Sequence, residues 1–258
     1  MKKLFGAAVM SAMCLLGAGE VKTLGIKDFV PQAEISAQGE AIKVTGKAQL
    51  MMNEAFVIDP AKTCVFSVSA RGIDGKYGAF MPIIMQFDAK GRTISCGQVK
   101  TIGGTYTELL KPVTRGDKVL YVKDAKLWNK KRLLCIAFNA KEDYSDLPSQ
   151  RVSWNTITDI TEENGMFKVS LSSPIPFPAA VGGIRLHENG PRWTYPLGGR
   201  HMGAAWQTLT GKISGQVRND YPHNSWAPGA VTAKFGFQVN WNNPDAVTEL
   251  KDIKIEIR

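Results

Sequence analysis

Histidine and cysteine are scarce, three and four in 258 residues. There is no Cys-x-x-Cys and no close pair of histidines, which argues against a zinc site built from thiolate and imidazole. The Gly-x-Ser-x-Gly elbow, the phosphate-cradling Gly-x-x-x-x-Gly-Lys-Ser/Thr loop and a Glu-x-Asp-x-x-Glu strand are missing too. Those absences count against an α/β-hydrolase, a P-loop nucleotidase and one common class of jelly-roll glycosidase. Acidic residues are scattered, as at Glu162-Glu163, whereas glycoside hydrolysis needs two carboxylates at a set separation. Long charge runs and low-complexity tracts are also lacking, so a disordered chain is not expected.

The apolar run Leu4 to Leu16 is too short to span a bilayer. It follows Lys2 and Lys3 and leads to the small residues Gly17, Ala18 and Gly19, the anatomy of a secretory signal. Residues 1–19 are therefore expected to be a signal peptide, and residues 20–258 a chain exported to periplasm or medium. Cys14 suits a lipoprotein signal poorly, because Ser11 and Met13 stand where an aliphatic and a small residue are wanted. Cys64, Cys96 and Cys135 would remain, an odd number that cannot pair completely. Each lies in or beside a β-like run, so packed free thiols are expected, with one disulfide also open.

The net charge of +9 suits acidic partners. The basic residues are dispersed rather than clustered. For an exported chain this favours acidic glycans over nucleic acid, and a merely soluble basic surface is the plain alternative.

What the sequence has in quantity is alternation. AIKVTGKAQL, TCVFSVSAR, KVLYVKD, MFKVSLSS, AKFGFQVNW and LKDIKIEIR all repeat with period two. In the last, Ile253, Ile255 and Ile257 face one way and Lys254, Glu256 and Arg258 the other. AFMPIIMQF is apolar nearly throughout, and its Pro82 points to an edge position or a bulge. Turn clusters such as DAKGR, TRGD, ENG and NNPD separate the runs, with 25 glycines and 13 prolines spread along the chain. DAKGR reads as a hairpin. The one helical candidate, KDAKLWNKK, reads equally well as an irregular turn. The expected fold is all-β, a β-sandwich or jelly roll with a β-rich elaboration in the second half. Residues 20–258 read as a single composite domain, with a possible sub-boundary at 141–150, KEDYSDLPSQ.

AFVIDPAKTCVFSVSARG places Phe56, Val57 and Ile58 in a strand, Pro60 in a turn, and Phe66, Ser69 and Arg71 in a second strand. MQFDAKGRTI adds a hairpin with Asp88 and Gly91 at its tip, and LKDIKIEI a closing strand with Asp252 near its start. This order resembles jelly-roll carbohydrate-binding modules of the CenC-like group, over roughly residues 40–141 and the last thirty or so; residues 157–215 fit less well. The resemblance implies glycan binding. It also implies an optional structural calcium between the first and last strands, with Asp252 and Glu40 as candidate ligands; no other cofactor is implied.

The stretch IRLHENGPRWTYPLGGRHMGAAWQ, residues 184–207, is the richest in aromatic and basic side chains. HENGPRW reads as a tight hairpin turning at Asn189-Gly190, which puts Trp193 and Tyr195 on one face. Flat rings flanked by donors suit the apolar faces and polar rims of sugars. Trp193 and Tyr195 with Arg192, Arg200 and His201 form the first candidate platform, and Tyr221 and Trp226 the second. Packing of these rings into the core is the structural alternative for both sets. Trp206 stays open between display and core, and Trp128, Trp154 and Trp241 are read as core. Two further readings stay open. One is a lyase or hydrolase on the same scaffold, for which Tyr195 or Tyr221 with His201 and Arg200 could act beside a uronate. The other is a surface or assembly module with a protein partner.

Overall fold

The structure, a computed structural model, describes residues 19–73, 75–129 and 133–258. The expected signal peptide, residues 1–19, lies outside them except for Gly19. The described residues hold strands and two single-turn 3-10 helices, Ile26–Asp28 and Cys96–Gln98. In chain order the first strands are β1 (Val21–Leu24), β2 (Ile35–Gln38), β3 (Ala41–Thr45), β4 (Ala48–Met51), β5 (Phe56–Val57) and β6 (Cys64–Ile73). Then come β7 (Ala79–Phe87), β8 (Thr93–Ile94), β9 (Thr107–Leu109), β10 (Val119–Val122), β11 (Leu133–Phe138) and β12 (Val152–Glu163). The last are β13 (Met166–Leu171), β14 (Gly182–Glu188), β15 (Arg200–His201), β16 (Gln207–Ile213), β17 (Thr232–Val239) and β18 (Val247–Ile257). The all-β fold class is as expected.

The chain divides into two compact units. Of the described residues, one unit comprises those up to Ile84 with Leu197–Lys212 and Thr232–Arg258, and the other those of Met85–Pro196 with Ile213–Val231. Residues 141–150 lie inside the second unit.

The first unit is a sandwich of two antiparallel sheets. One runs β16-β6-β18-β3-β2 with β1 on β18, the other β15-β7-β17-β4 with β5 on β17. Period-two patterning supplies the filling: Phe66 of β6 meets Phe235 of β17 at 5.2 Å between ring centroids. Phe237 stacks on Phe80 of β7 at 5.4 Å, and Ile253, Ile255 and Ile257 of β18 are buried. Such tilted and offset ring pairs add to the burial of large apolar area that holds the two layers together. Gly46, at φ +78°, lets the chain leave β3 in one sheet and enter β4 in the other. Pro82 is tolerated because β15 pairs only with Ala79 and Phe80, so that ladder ends before the missing N–H. In β18 one extra residue falls between Lys251 and Lys254, a bulge in which Asp252 takes φ +51°.

The second unit holds an architecture the alternation did not announce, a closed barrel in the order β10-β13-β12-β11-β14-β9. Its interior is packed with side chains, among them Leu120, Leu134, Ile136, Ile157, Val169 and Leu186. A ring of six strands leaves no lumen for solvent. Within KDAKLWNKK the described residues form a turn, with the Trp128 N–H donating to the Ala125 carbonyl; Lys130 and Lys131 lie outside them. Trp128 is core, as read, and its indole N–H donates to the Thr105 carbonyl at 3.0 Å.

Candidate functional site

Trp154 of β12 pairs with Cys135 of β11, which in turn pairs with His187 of β14. Cross-strand partners share a face, so this row lies on the outside of the barrel, opposite to Leu134 and Ile136. The 3-10 turn Cys96–Gln98 packs over the row. At Gly97 a Cβ would stand 3.5 Å from Cys135 Cβ and 3.3 Å from Trp154 Nε1, so the turn lies directly against both residues. Cys135 and His187 are buried, while Trp154 at the end of the row is 44% exposed. The reading of Trp154 as core is thus corrected. Its neighbours on the strand fit a core, but the turn reaches its indole at Nε1 without covering it.

Beside Trp154 an open cleft of about 510 Å³ is lined by Arg92, Thr93, Ser95, Gln98, Gln150, Gly190, Pro191 and Arg192. The hairpin read at DAKGR places Arg92. Asp88 Oδ1 accepts from the N–H groups of Lys90 and Arg92, and Oδ2 accepts from Arg92 Nε at 2.8 Å and Nη2 at 2.7 Å. Burial pushes the Asp88 carboxyl up, but the hydrogen bonds and charge of Arg92, with the Lys90 N–H, outweigh it and hold the group below the usual carboxylate range. The Ser95 N–H and hydroxyl both donate to Gln98 Oε1, at 2.8 and 3.0 Å. That fixes the Gln98 amide with its NH₂ unspent on the described residues. Arg192 is exposed and makes no ion pair among the described residues.

Beneath Gln150 the segment 141–150 is tied down by Arg185 of β14, only 1% exposed. Its Nη2 donates to Asp146 Oδ1 and Oδ2 at 2.9 and 2.7 Å, its Nη1 to the Lys141 carbonyl at 2.9 Å, and its Nε to His187 Nε2 at 3.0 Å. Asp146 also accepts from the Lys141 N–H and the Ser149 hydroxyl, and the Ser149 N–H donates to the Gln98 carbonyl. A buried guanidinium satisfied on every side converts a polar stretch into fixed structure. Burial first, then the charge of Arg185, drives His187 down to about 3, against the pull of Asp146 and the Gly97 backbone. The imidazole is therefore neutral and accepts at Nε2. Burial raises the Asp146 carboxyl, and hydrogen bonds from Lys141 and Ser149 with the charge of Arg185 bring it below its ordinary range. No feature of IRLHE marked Arg185; alternation put an arginine where solvent was equally plausible.

The segment after β14 is not a hairpin. Gly190 lies against Cys96, where a Cβ would come within 2.6 Å of the cysteine Cβ, and the Pro191 carbonyl accepts the Cys96 N–H at 3.0 Å. Trp193 and Tyr195 do share a side, with the indole N–H donating to the phenol oxygen, and both are half-buried. Tyr221 is half-buried and hydrogen-bonded to the Cys96 thiol; burial, then the Cys96 charge, pushes its phenol well above the ordinary value. Trp226 is 0% exposed, which corrects its assignment as a ligand platform: the loop that carries it folds inward. Its backbone N–H donates to the Gly215 carbonyl, and the adjacent Ala227 N–H donates to Gln86 Oε1. Arg200 and His201 are exposed on β15 of the first unit. Of the residues chosen from the sequence, Arg192 lines the cleft.

The remaining tryptophans belong to the first unit. Trp206 is half-buried between Arg71 and Lys251, 4.7 and 4.8 Å from its centroid. Trp241, read as core, is 42% exposed under the Lys47 ammonium, because it lies in the turn after β17 rather than on the strand. Among the described residues no group of three His, Cys, Asp or Glu side chains is placed to hold a metal ion. Asp252 instead occupies the β18 bulge beside Lys251 at 3.9 Å, and Glu40 is exposed in the turn between β2 and β3. The three described cysteines are free and buried.

Comparison with protein families, with curated proteins and with solved structures finds no match for this chain. No helix among the described residues is long and apolar enough to cross a membrane.

Proposed function

We propose that this is an exported, non-catalytic carbohydrate-binding protein whose ligand lies in the cleft of the second unit. The observation that carries the reading is the exposed indole of Trp154, seated over Gly97 and flanked by polar groups already fixed in place. An indole offers an apolar plate to the C–H face of a sugar, and the Gln98 and Gln150 amides can meet hydroxyls at its edge. Trp193 and Tyr195, the platform expected from the sequence, are half-buried and hydrogen-bonded to each other, and neither lines the cleft. The sequence resemblance of residues 40–141 and the last thirty or so to jelly-roll carbohydrate-binding modules supports the same class of ligand, and the signal-like residues 1–19 support a place where polysaccharide is met. The cleft lining contains no carboxylate, so it offers no acid–base pair for hydrolysis. Affinity is expected to be modest, because an open cleft leaves much of the ligand in water and sugar hydroxyls exchange good hydrogen bonds with solvent for similar ones. A glycan array on the exported chain, followed by retention on the best polysaccharide, tests this. Trp154→Ala should abolish retention with an unchanged circular dichroism spectrum; full retention by that variant sinks the proposal.

A further inference from the structure

We infer that the cleft selects saccharides carrying an oxyanion, a uronate carboxylate or a sulfate ester, and that Arg192 is the residue that reads it. This rests on the carbohydrate reading above and adds the chemical class of the sugar. Two guanidinium groups and no carboxylate line the cleft. They differ in state. Arg92 is held by Asp88, which neutralises its charge and fixes its fork; Nε and one Nη are committed, and the rest of the fork is unspent on the described residues. Arg192 has no acidic partner among the described residues, so the cleft keeps one uncompensated positive charge. A planar guanidinium binds carboxylate or sulfate through two parallel N–H···O bonds, which a sugar hydroxyl cannot match. Trp154 across the same cleft binds the ring irrespective of its charge. One side chain therefore supplies a contact common to all pyranoses and the other discriminates among them. The neighbouring Lys100 does not disturb this division, since Glu188 at 3.3 Å and Asp220 at 3.9 Å pair with it.

Calorimetric titration of the full chain tests the inference with three probes of equal length: a galacturonate hexasaccharide, its fully methyl-esterified form, and a sulfated galactan hexasaccharide. For the unaltered protein at low salt, the acid or the sulfated sugar should bind at least about tenfold tighter than the ester, the loss expected when one charge-assisted contact goes; which of the two is tighter identifies the source of the oxyanion. Arg192→Gln should bring acid and ester within about twofold of each other, while Trp154→Ala should weaken all probes together. Arg192 is exposed, and an unchanged thermal midpoint for Arg192→Gln confirms that the fold is kept. Equal binding of acid, sulfate and ester by the unaltered protein overturns the oxyanion preference and leaves carbohydrate binding standing. A preference that survives in Arg192→Gln overturns the assignment of Arg192. If none of the saccharides binds, the carbohydrate reading falls and the inference falls with it.

Discussion

At the scale of single residues the second unit is organised by a buried charge. Arg185 gathers Asp146, the Lys141 carbonyl and His187, and through Ser149 the network reaches the backbone of Gln98 at the cleft. His187 has a consequence that can be measured. Its folded-state value is about 3 against an ordinary 6.5. Between those limits the unfolded chain takes up a proton that the folded chain refuses. The His187 contribution to stability is thus complete above pH 6.5 and is lost progressively as pH falls toward 3, by up to about 1.4 kcal/mol per pH unit. Asp146, whose value is lowered, loses its contribution only in the carboxylate range below, so the interval from about pH 6.5 to 4.5 isolates the histidine. Urea midpoints for the unaltered chain should drop across that interval, and His187→Gln, which keeps an acceptor for Arg185, should flatten the drop. Equal slopes in the two proteins would refute the assignment. The polar composition of residues 141–150 suggested a break between strands. Only the position of one arginine on the neighbouring strand shows why those residues are rigid.

Elements show how the same three letters can produce different structure. Glu163-Asn164-Gly165 forms the tight turn between β12 and β13, with φ +52° at Asn164 and +73° at Gly165, as a two-residue hairpin loop demands. Glu188-Asn189-Gly190 was read as the same device. There the chain continues into Pro191, which lacks an N–H for a returning ladder, and Gly190 serves instead to let the backbone approach Cys96. The two glycines should therefore fail differently. Gly190→Ala should cost about 1–3 kcal/mol by overpacking, and Cys96→Gly should recover most of it, because removing the opposing Cβ removes the clash. Gly165→Ala should cost about 1–2 kcal/mol through its left-handed backbone alone, with no rescue from Cys96→Gly. Additive effects at Gly190 and Cys96 in chemical denaturation would reject the close-approach account. Local alternation identified β6, β17 and β18, and in β18 the buried side as well, because a half-buried strand writes its orientation into every second residue. It could not tell β6 and β18 of a sandwich from β10 and β13 of a barrel, since strands in both alternate alike.

For the molecule as a whole, two compact units mean two cores, each with its own thiols. Cys64 lies in the sandwich, and Cys96 and Cys135 lie in the second unit. Burial, helped by the charge of Asp59, pushes Cys64 up to about 12; burial likewise pushes Cys135 to about 12 and Cys96 to about 11. The thiolate is the reactive form, so iodoacetamide at pH 8 should leave all three unmodified in the folded protein and label all three in denaturant without added reductant. Peptide mapping along a urea series then reports sandwich opening through Cys64 and barrel-unit opening through Cys135. Labelling of Cys135 in the folded state would contradict its burial, and resistance in denaturant would reveal a disulfide.

Composition and period-two patterning determined by themselves that this chain is all-β, that its closing strand hides one face, and that DAKGR turns as a hairpin. Those properties follow from the backbone's own alternation and from a few residues adjacent in the chain. Tertiary structure decided that β9 to β14 close into a barrel, that Trp226 goes in and Trp154 stays out, and that Arg192 stands at a cleft rather than on a hairpin. Each of these depends on what distant segments cover. Trp154 and Cys135 share a row and both meet the turn Cys96–Gln98, yet Cys135 is fully covered and Trp154 keeps 44% of its surface in water.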